Sequence, residues 1–266
     1  MIEFQNVTRT YGDRVAVAGL TLTLPEGELF AMLGPNGAGK TTTIKMLVGL
    51  LRPTSGRVFV NGCDVARHPR EAAQCIGYIP DEPFLYDKLS GREFLEFVAQ
   101  MRGLDRRTRT ARIDREVACF DLGGFFDDLT ETYSHGMKQR LVFAAALLHD
   151  PQVLVIDEPM VGLDPRSVRL AKDVLCARAR AGTAVFMSTH ILSMAEEIAD
   201  RLCVLDRGRV NFLGTLSALQ HELALPRTSL EPLFLKLTAN GDGEAGPPQQ
   251  SGPSLTGAAE PIEGPG

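Results

Sequence analysis

The sequence lacks the hydrophobic segments by which proteins enter or cross membranes. No apolar run in its 266 residues approaches the roughly 18 residues that a membrane-spanning helix needs. The first five residues, MIEFQ, have neither the basic start nor the apolar stretch of a secretory signal. We therefore expect a chain that is neither secreted nor integral to a membrane.

Cysteine is scarce, and an excess of positive charge is missing. The five cysteines are widely scattered and form no C-x-x-C pair, which argues against a disulfide framework or a zinc site and favours reduced, cytosolic thiols that act as small packing residues. They are Cys63, Cys75, Cys119, Cys176 and Cys203. The formal net charge of −5 gives no sign of a nucleic-acid-binding surface, which would be basic.

What is present is the composition of an ordinary globular protein, followed by an unusual C-terminal segment. With 44% hydrophobic and 23% charged residues, the chain can form one large or two small domains. Residues 240–266 contain seven glycines, five prolines, four acidic residues and no Lys or Arg. Because such a segment buries too little apolar surface to offset its ordering entropy, we predict a disordered acidic tail. A tail that binds a partner is the alternative.

The most informative motif is GPNGAGKT at residues 34–41. It satisfies all four fixed positions of the phosphate-binding pattern G-x-x-x-x-G-K-[ST]. Glycines at positions 34, 37 and 39 allow successive amide groups to turn toward phosphate oxygens. Lys40 can reach the β and γ phosphates, and the Thr41 hydroxyl can ligate a magnesium ion. A glycine-rich turn that matches the pattern by chance is the alternative.

The surroundings of this loop support nucleotide binding. Residues 28–33 predict a buried strand before it, and residues 41–51 have the apolar spacing of a helix after it, whose dipole would point at the phosphates. The early strands cluster around turns, which indicates an antiparallel element, and the later strands alternate with helices, as in parallel sheets. Strands are predicted at residues 2–9, 15–24, 29–33, 57–60, 76–79, 153–156, 184–188, 202–206 and 209–213. Between about residues 83 and 150 only helices are predicted, at residues 91–101, 106–120 and 136–149.

A second motif, VLVIDEP at residues 153–159, ends a predicted strand with two acids. The carboxyl ends of strands are where open α/β sheets bind ligands. A carboxylate is costly to bury without a partner, so Asp157 is explained as a member of a magnesium shell and Glu158 as the group that polarises the attacking water. The alternative is a strand that ends in an exposed turn.

With these two motifs the sequence resembles the ATP-binding cassette family, and further motifs follow in the family's order. The resemblance covers about residues 1–238. It implies an α/β P-loop NTPase fold with a parallel-sheet core, an antiparallel N-terminal β-layer and an all-helical insertion at about residues 83–150, within an ATPase domain of residues 1–239. The remaining motifs are Tyr11 before Gly12, YSHGMKQ at residues 133–139, GLDP at residues 162–165 and STH at residues 188–190.

The resemblance implies that ATP and Mg²⁺ are the cofactors, and it assigns roles residue by residue. His190 would contact the γ phosphate and join Glu158 as a catalytic residue, and GLDP would be the loop through which two cassettes sense each other. The implied nucleotide-binding residues are Tyr11, Gly34, Pro35, Asn36, Gly37, Ala38, Gly39, Lys40, Thr41, Thr42, Ser134 and Gly136. The implied metal ligands are Thr41, Asp81 and Asp157. As alternatives, Tyr11 is a turn aromatic, and His190 and Ser134 only cap helices.

Two departures from the family pattern affect this assignment. The signature usually reads LSGGQ, whereas residues 133–137 read YSHGM, which retains Ser134 and Gly136. Asp81 stands where most members have a glutamine that ligates magnesium. An aspartate would repel the γ phosphate unless a metal ion lies between them, so nucleotide binding should be more metal-dependent. The alternative is that Asp81 caps a turn before Pro83.

The implied function is the ATPase subunit of a membrane transporter. Such a subunit lies on the cytoplasmic face of the membrane, docks its helical insertion onto a separate integral permease, and pairs head to tail with a second cassette. Residues 230–238, LEPLFLKLT, resemble the ending of drug, antibiotic and polysaccharide export cassettes, which favours an exporter. The alternative is a soluble cassette ATPase that acts on ribosomes or DNA. A non-hydrolysing regulatory cassette is disfavoured because Lys40, Glu158 and His190 are all present.

Overall fold

The computed structural model describes residues 1–158, 160, 163–225 and 228–239. The predicted tail at residues 240–266 lies outside these residues, as do Pro159 and Gly162 of the predicted motifs. In the described part, no helix is both long enough and apolar enough to span a bilayer.

Strands and helices alternate along most of the chain. The strands are β1 (Ile2–Tyr11), β2 (Arg14–Leu24), β3 (Leu29–Leu33), β4 (Ser55–Val60), β5 (Cys63–Asp64), β6 (Ile76–Ile79), β7 (Val153–Asp157), β8 (Ala184–Thr189), β9 (Arg201–Asp206) and β10 (Arg209–Gly214). The helices are α1 (Lys40–Leu47), α2 (Pro69–Cys75), α3 (Gly91–Met101), α4 (Arg106–Cys119), α5 (His135–Leu147), α6 (Pro165–Arg180), α7 (Leu192–Ile198), α8 (Leu216–Glu222) and α9 (Leu230–Ala239).

Two sheets form the framework. Six strands in the order β10-β9-β3-β8-β7-β6 form the larger sheet, in which the pairs from β9 to β6 are parallel and β10 is antiparallel to β9. The smaller sheet has the order β2-β1-β4-β5 and is antiparallel. The predicted α/β fold with an antiparallel N-terminal layer is therefore confirmed.

The central strands of the larger sheet are buried on both faces, because alternate side chains enter two different cores. Every residue of β3, β7 and β8 is buried. In β3, Ala31 belongs to one core together with residues of the helices, whereas Phe30 belongs to the other core together with residues of the antiparallel sheet. Phe186 of β8 packs against Phe30 and Phe4, with ring centroids 5.3 and 6.2 Å apart. Apolar contact on both faces explains the unbroken hydrophobic runs of these strands.

The segment between β6 and β7 is helical in the described structure, as predicted. Ser90 and Glu93 form a capping box that starts α3, a local hydrogen-bond arrangement that satisfies two free amides. Helices α3, α4 and α5 contact one another, and α5 also contacts β6. The insertion is thereby attached to the sheet beside its edge strand.

An ion cluster around the buried Glu116 attaches α4 of this insertion to α6. Glu116 is 0% exposed, and its Oε1 lies 2.7 Å from Arg115 Nη2 and 3.0 Å from Arg178 Nη2. Asp150 contacts the same two arginines at 2.7 and 3.2 Å, and Arg112 at 3.0 Å. Since a buried charge is costly without its partner, these ion pairs depend on one another.

Each predicted strand is present with bounds within two residues of the prediction. The first helix is shorter than predicted, ending at Leu47 rather than residue 51, because Gly49 adopts a left-handed φ of 79° and terminates the helical hydrogen bonding. Strand β5 and helix α2 were not predicted, and the antiparallel direction of β10 was not foreseen. The cysteines are free; Cys203 is buried and the other four are partly buried.

His149, after α5, should make the stability of the fold depend on pH. Its Nε2 lies 3.0 Å from the Ile76 carbonyl oxygen, and burial, followed by the positive charge of Arg102, lowers its pKa from 6.5 to about 4. Arg112 acts in the same direction and Asp150 against it. Between these pH values the unfolded chain binds a proton that the folded chain does not, so stability falls as the pH falls.

We expect His149 to remove roughly 2–3 kcal/mol of unfolding free energy as the pH drops from 6.5 to about 4. Urea unfolding across this range measures the effect. His149→Gln, which cannot titrate, should have a shallower pH dependence than the parent. Parallel curves for the two proteins would contradict the prediction.

Candidate functional site

Strand register brings the predicted motifs to one edge of the larger sheet. Leu33 at the end of β3 pairs with Thr189 of β8, and Ser188 pairs with Asp157 at the end of β7. The strands are parallel, so the segments that follow them leave the sheet on the same side. The phosphate-loop motif, Glu158 and His190 are therefore neighbours although they are far apart in the sequence.

The loop between β3 and α1 needs glycine at two positions because backbone approaches it closely. A Cβ on Gly34 would lie 2.3 Å from the Leu205 carbonyl oxygen, and a Cβ on Gly39 would lie 2.3 Å from that of Ala16. Gly39 also has a φ of 112°, which residues with a Cβ rarely adopt. The loop is thus held between β2 and the end of β9, with its helix directly behind it.

A cavity of about 400 Å³ lies over this loop. Most of the predicted nucleotide-binding residues line it. The lining residues are Tyr11, Arg14, Ala16, Asn36, Gly37, Ala38, Gly39, Lys40, Thr41, Thr42, Asp81 and Glu158. Arg14 and Ala16 were not identified from the sequence. The short turn after Tyr11 could have indicated them, because it brings the start of β2 back beside Tyr11.

Lys40 is the buried cation of the cavity. Its side chain is 7% exposed, and its ammonium group donates to the Gly34 carbonyl oxygen at 2.7 Å and lies 3.6 Å from Glu158 Oε1. Pro35 contributes a longer carbonyl contact at 3.4 Å. These contacts place the Lys40 charge at the floor of the loop, beside the carboxylate predicted to activate water.

Glu158 also contacts His190. The histidine Nδ1 lies 2.7 Å from Glu158 Oε2, and its backbone amide donates to the same oxygen at 3.1 Å. An ionised carboxylate can accept hydrogen bonds but cannot donate them, so the proton of this hydrogen bond is on Nδ1 of His190. The N-cap residue of α7 is Ile191, and His190 precedes it.

Asp157 and Glu158 are positioned by Ser188, a residue of the STH motif whose positioning role was not predicted from the sequence. Asp157 is 2% exposed, and the Ser188 hydroxyl donates to its Oδ1 at 2.5 Å. The same hydroxyl accepts from the Glu158 amide at 3.2 Å. Glu158 has a left-handed φ of 49°, which is uncommon for a residue with a side chain. The hydroxyl thus satisfies a buried carboxylate and the amide of the turn that follows it.

Asp81 lies at the rim of the cavity. The residue is exposed, but desolvation of the carboxyl group, followed by the negative charges of Asp157 and Glu158, raises its pKa. Burial, followed by the charges of Asp157 and Asp81, raises the pKa of the neighbouring Tyr78 to about 12. Three carboxylates therefore repel one another at this place, and Lys40 contacts only Glu158 among them.

Tyr11 also lines the cavity and is exposed. The Arg9 guanidinium lies over its ring, 4.7 Å from the centroid, and Arg9 also donates to the Arg52 carbonyl oxygen at 3.0 Å. One face of the ring is thereby covered by a cation.

Ser134 and Gly136 do not line the cavity. Ser134 is the N-cap residue of α5, and its hydroxyl accepts from the Met137 amide at 3.3 Å. A Cβ on Gly136 would lie 4.0 Å from Asp164 Oδ2, so this signature segment lies beside the start of α6. Tyr133, where the family has leucine, is buried and donates to the Phe125 carbonyl oxygen at 2.7 Å.

The described residues contain no group of three or more His, Cys, Asp or Glu side chains suited to hold a metal ion unaided. Magnesium is commonly held by one or two carboxylates together with substrate phosphates, and Thr41, Asp81 and Asp157 supply donors of that kind. A glycine loop, a helix start, a lysine and paired carboxylates at the carboxyl edge of a parallel sheet define a P-loop nucleotide-binding protein.

Comparison with known proteins defines the family within that class. Residues 17–161 match the family model described as ABC transporter. The chain is 39% identical over 221 residues to the daunorubicin resistance ATP-binding protein DrrA3 of Streptomyces coeruleorubidus, covering 83% of this chain and 70% of the relative. The chain belongs to the ABC transporter family, as an ATP-hydrolysing, ATP-binding subunit.

Solved structures agree with this assignment. The structure of an ATP-binding subunit of an ABC transporter superposes with a TM-score of 0.85 at 32% identity, covering 89% of this chain and 99% of that one. The dimeric structure of a bacterial ABC transporter cassette gives a TM-score of 0.74 at 25% identity, covering 81% and 99%.

Removal of the Ser188 hydroxyl should destabilise the site. We expect Ser188→Ala to lose roughly 1–3 kcal/mol of unfolding free energy, because the buried Asp157 carboxylate loses a hydrogen-bond donor, and to lower the ATPase rate. Ser188→Thr, which retains the hydroxyl, should recover more of both than Ser188→Ala. Urea unfolding and steady-state ATPase assays measure these effects. Unchanged stability and rate in Ser188→Ala would contradict the role.

Proposed function

We propose that ATP binds in the cavity over residues 34–42. The triphosphate occupies the loop before the start of α1, and Lys40 neutralises its β and γ phosphates. The adenine stacks on the ring face of Tyr11 that Arg9 leaves open. The observation that best supports this proposal is the set of contacts joining Lys40, Glu158 and His190 beside the loop.

Magnesium would be held by Thr41, Asp157 and Asp81, together with phosphate oxygens. The fit rests on the cluster of carboxylates: the pKa of Asp81 is raised by desolvation and then by Asp157 and Glu158, so an added divalent cation would relieve their repulsion. The bound ion supplies positive charge that neutralises the transferring phosphoryl group. In this arrangement Asp81 takes the place of the usual neutral ligand.

Glu158 is the proposed catalytic base. Its Oε2 is fixed by His190, which leaves the carboxylate oriented to polarise a water molecule for attack on the γ phosphate. His190 Nε2 remains for the γ phosphate itself, because Nδ1 donates to Glu158. The Ser188 hydrogen bonds hold the turn from which Glu158 projects. Positioning and charge, rather than a covalent intermediate, account for hydrolysis at such a site.

A second cassette completes the site in this proposal. Ser134 and Gly136 present a hydroxyl and a helix N-terminus outside the cavity of their own chain, an arrangement suited to bind the γ phosphate of a partner's ATP. The dimeric structure of the related bacterial cassette supports a pair of cassettes, and the head-to-tail arrangement is part of the proposal. The partner is a second copy of this chain or a similar chain, and size-exclusion chromatography of this chain alone tests the first possibility.

The transport role follows from the family. We propose that the ATPase domain, residues 1–239, lies at the cytoplasmic face of the membrane and docks its helical insertion, residues 83–150, onto a separate integral permease. The relative from Streptomyces is named for daunorubicin resistance, and a transporter that confers resistance moves its substrate out of the cell. Together with the ending at residues 230–238, this favours an exporter.

Substitution of Lys40 and Glu158 separates binding from hydrolysis. We expect Lys40→Ala to weaken ATP binding at least about tenfold, since it removes a charge-assisted contact. Glu158→Gln should retain binding and lower turnover roughly 10²–10⁴-fold, because it keeps the shape and removes the base. Calorimetry and ATPase assays measure the two effects.

ATP with magnesium should hold the Glu158→Gln protein as a dimer in size-exclusion chromatography, whereas Lys40→Ala stays monomeric. A monomeric Glu158→Gln protein at saturating ATP and magnesium would contradict a dimer of two copies of this chain. Turnover equal to that of the parent would contradict the assignment of Glu158.

Asp81 and Glu82 are a matched pair for testing the metal site. If Asp81 ligates magnesium, Asp81→Ala should raise the free magnesium concentration needed for half-maximal hydrolysis, and Asp81→Gln should restore much of the activity through a neutral oxygen ligand. Glu82→Ala should leave the magnesium dependence unchanged, because Glu82 does not line the cavity. If both alanine variants follow the parent curve, Asp81 is a turn residue.

A further inference from the structure

The end of the β1–β2 hairpin presents two side chains to the nucleotide cavity. Tyr11, the last residue of β1, pairs directly with Arg14, the first residue of β2. Directly paired residues in antiparallel strands place their side chains on the same face. Both side chains line the cavity, so the hairpin reaches the site with an aromatic ring and a guanidinium group together.

Arg14 lies close to the phosphate-binding loop. A Cβ placed on Gly37 would lie 3.5 Å from Arg14 Nη2. The guanidinium is therefore on the side of the loop that faces the hairpin, whereas the Lys40 ammonium lies at the floor, against the Gly34 carbonyl oxygen. A phosphate chain in the loop would have one cation on each side.

The Arg14 charge is available for a ligand. Arg14 is exposed, and its guanidinium group makes no hydrogen bond or ion pair within the described residues. The neighbouring Arg9 is already engaged by the Tyr11 ring and the Arg52 carbonyl oxygen. Lys40 is shared with Glu158. Arg14 is thus the cavity-lining cation of the described structure that has no protein partner.

The charges that line the cavity indicate that Arg14 is needed to balance those of the phosphates. The lining contains two cations, Lys40 and Arg14, and two acids, Asp81 and Glu158. These four charges cancel, whereas the triphosphate carries several negative charges. Without Arg14 the lining would be negative. Guanidinium groups bind phosphate oxygens through paired, charge-assisted hydrogen bonds.

We propose that Arg14 binds the phosphate chain of ATP, so that the hairpin end contacts base and phosphates at once through Tyr11 and Arg14. This inference rests on the proposed nucleotide site and adds a phosphate ligand from outside the glycine loop. Arg14 thereby links recognition of the adenine to recognition of the charged end of the molecule.

Calorimetric titration of a non-hydrolysable ATP analogue, with magnesium present because binding is expected to depend on it, tests the proposal. We expect Arg14→Ala to weaken binding of the analogue about tenfold at low salt, and the difference from the parent to shrink as added salt screens the charges. Arg14→Lys should recover part of the loss. Arg57→Ala removes an exposed arginine of β4 that does not line the cavity, and its affinity should equal that of the parent.

Tyr11→Ala is the internal reference, because a lost stacking contact should persist at high salt. If the loss of nucleotide affinity in Arg14→Ala likewise persists at high salt, Arg14 acts on the structure of the hairpin. That result would overturn the proposal. Equal affinity of Arg14→Ala and parent at low salt would overturn it too. Failure of the nucleotide site itself gives a different result: the parent does not bind the analogue, or Lys40→Ala binds it as tightly as the parent.

Discussion

The register of three parallel strands is the constraint on which the rest of the site depends. Pairing of Leu33 with Thr189 and of Asp157 with Ser188 aligns the ends of β3, β8 and β7. A shift of one residue in any of them would turn its alternating side chains into the opposite core. Both cores are filled with apolar residues, so burial of the sheet also determines where the glycine loop, Glu158 and His190 emerge.

The same edge concentrates charge, and the surrounding contacts distribute it unevenly. Asp157 is satisfied by the Ser188 hydroxyl and Glu158 by Lys40 and His190. Asp81 lies at the rim within range of both acids, and desolvation and their charges raise its pKa. The protein thus holds its carboxylates where a metal cation would be attracted, and Lys40 and Arg14 where phosphates would be attracted.

Much of this arrangement could be predicted from the sequence, because it is encoded in local patterns. Hydrophobic runs predicted the strands, and the glycine loop and the paired acids predicted the edge of the sheet that holds the site. The roles of individual site residues remain predictions. Other features depend on pairing between distant segments. Ser188 contacts Asp157 only because β7 and β8 are neighbours in register. Arg14, by contrast, is placed by a local turn that pairs it with Tyr11, so its position could have been predicted. Helix α2 buries only Ala72, so it left no periodic pattern to recognise.

The ion cluster that Arg115, Arg178 and Asp150 form around the buried Glu116 has a consequence for the evolution of this protein. Each member lies within 3.2 Å of at least one opposite charge, and loss of the two arginines would leave the Glu116 carboxylate buried without a charged partner. Substitution of Arg115 or Arg178 is therefore restricted for as long as Glu116 is present. Lineages that replace Glu116 should carry compensating changes at Arg178, so these distant positions, one in the insertion and one in the core, should vary as a set.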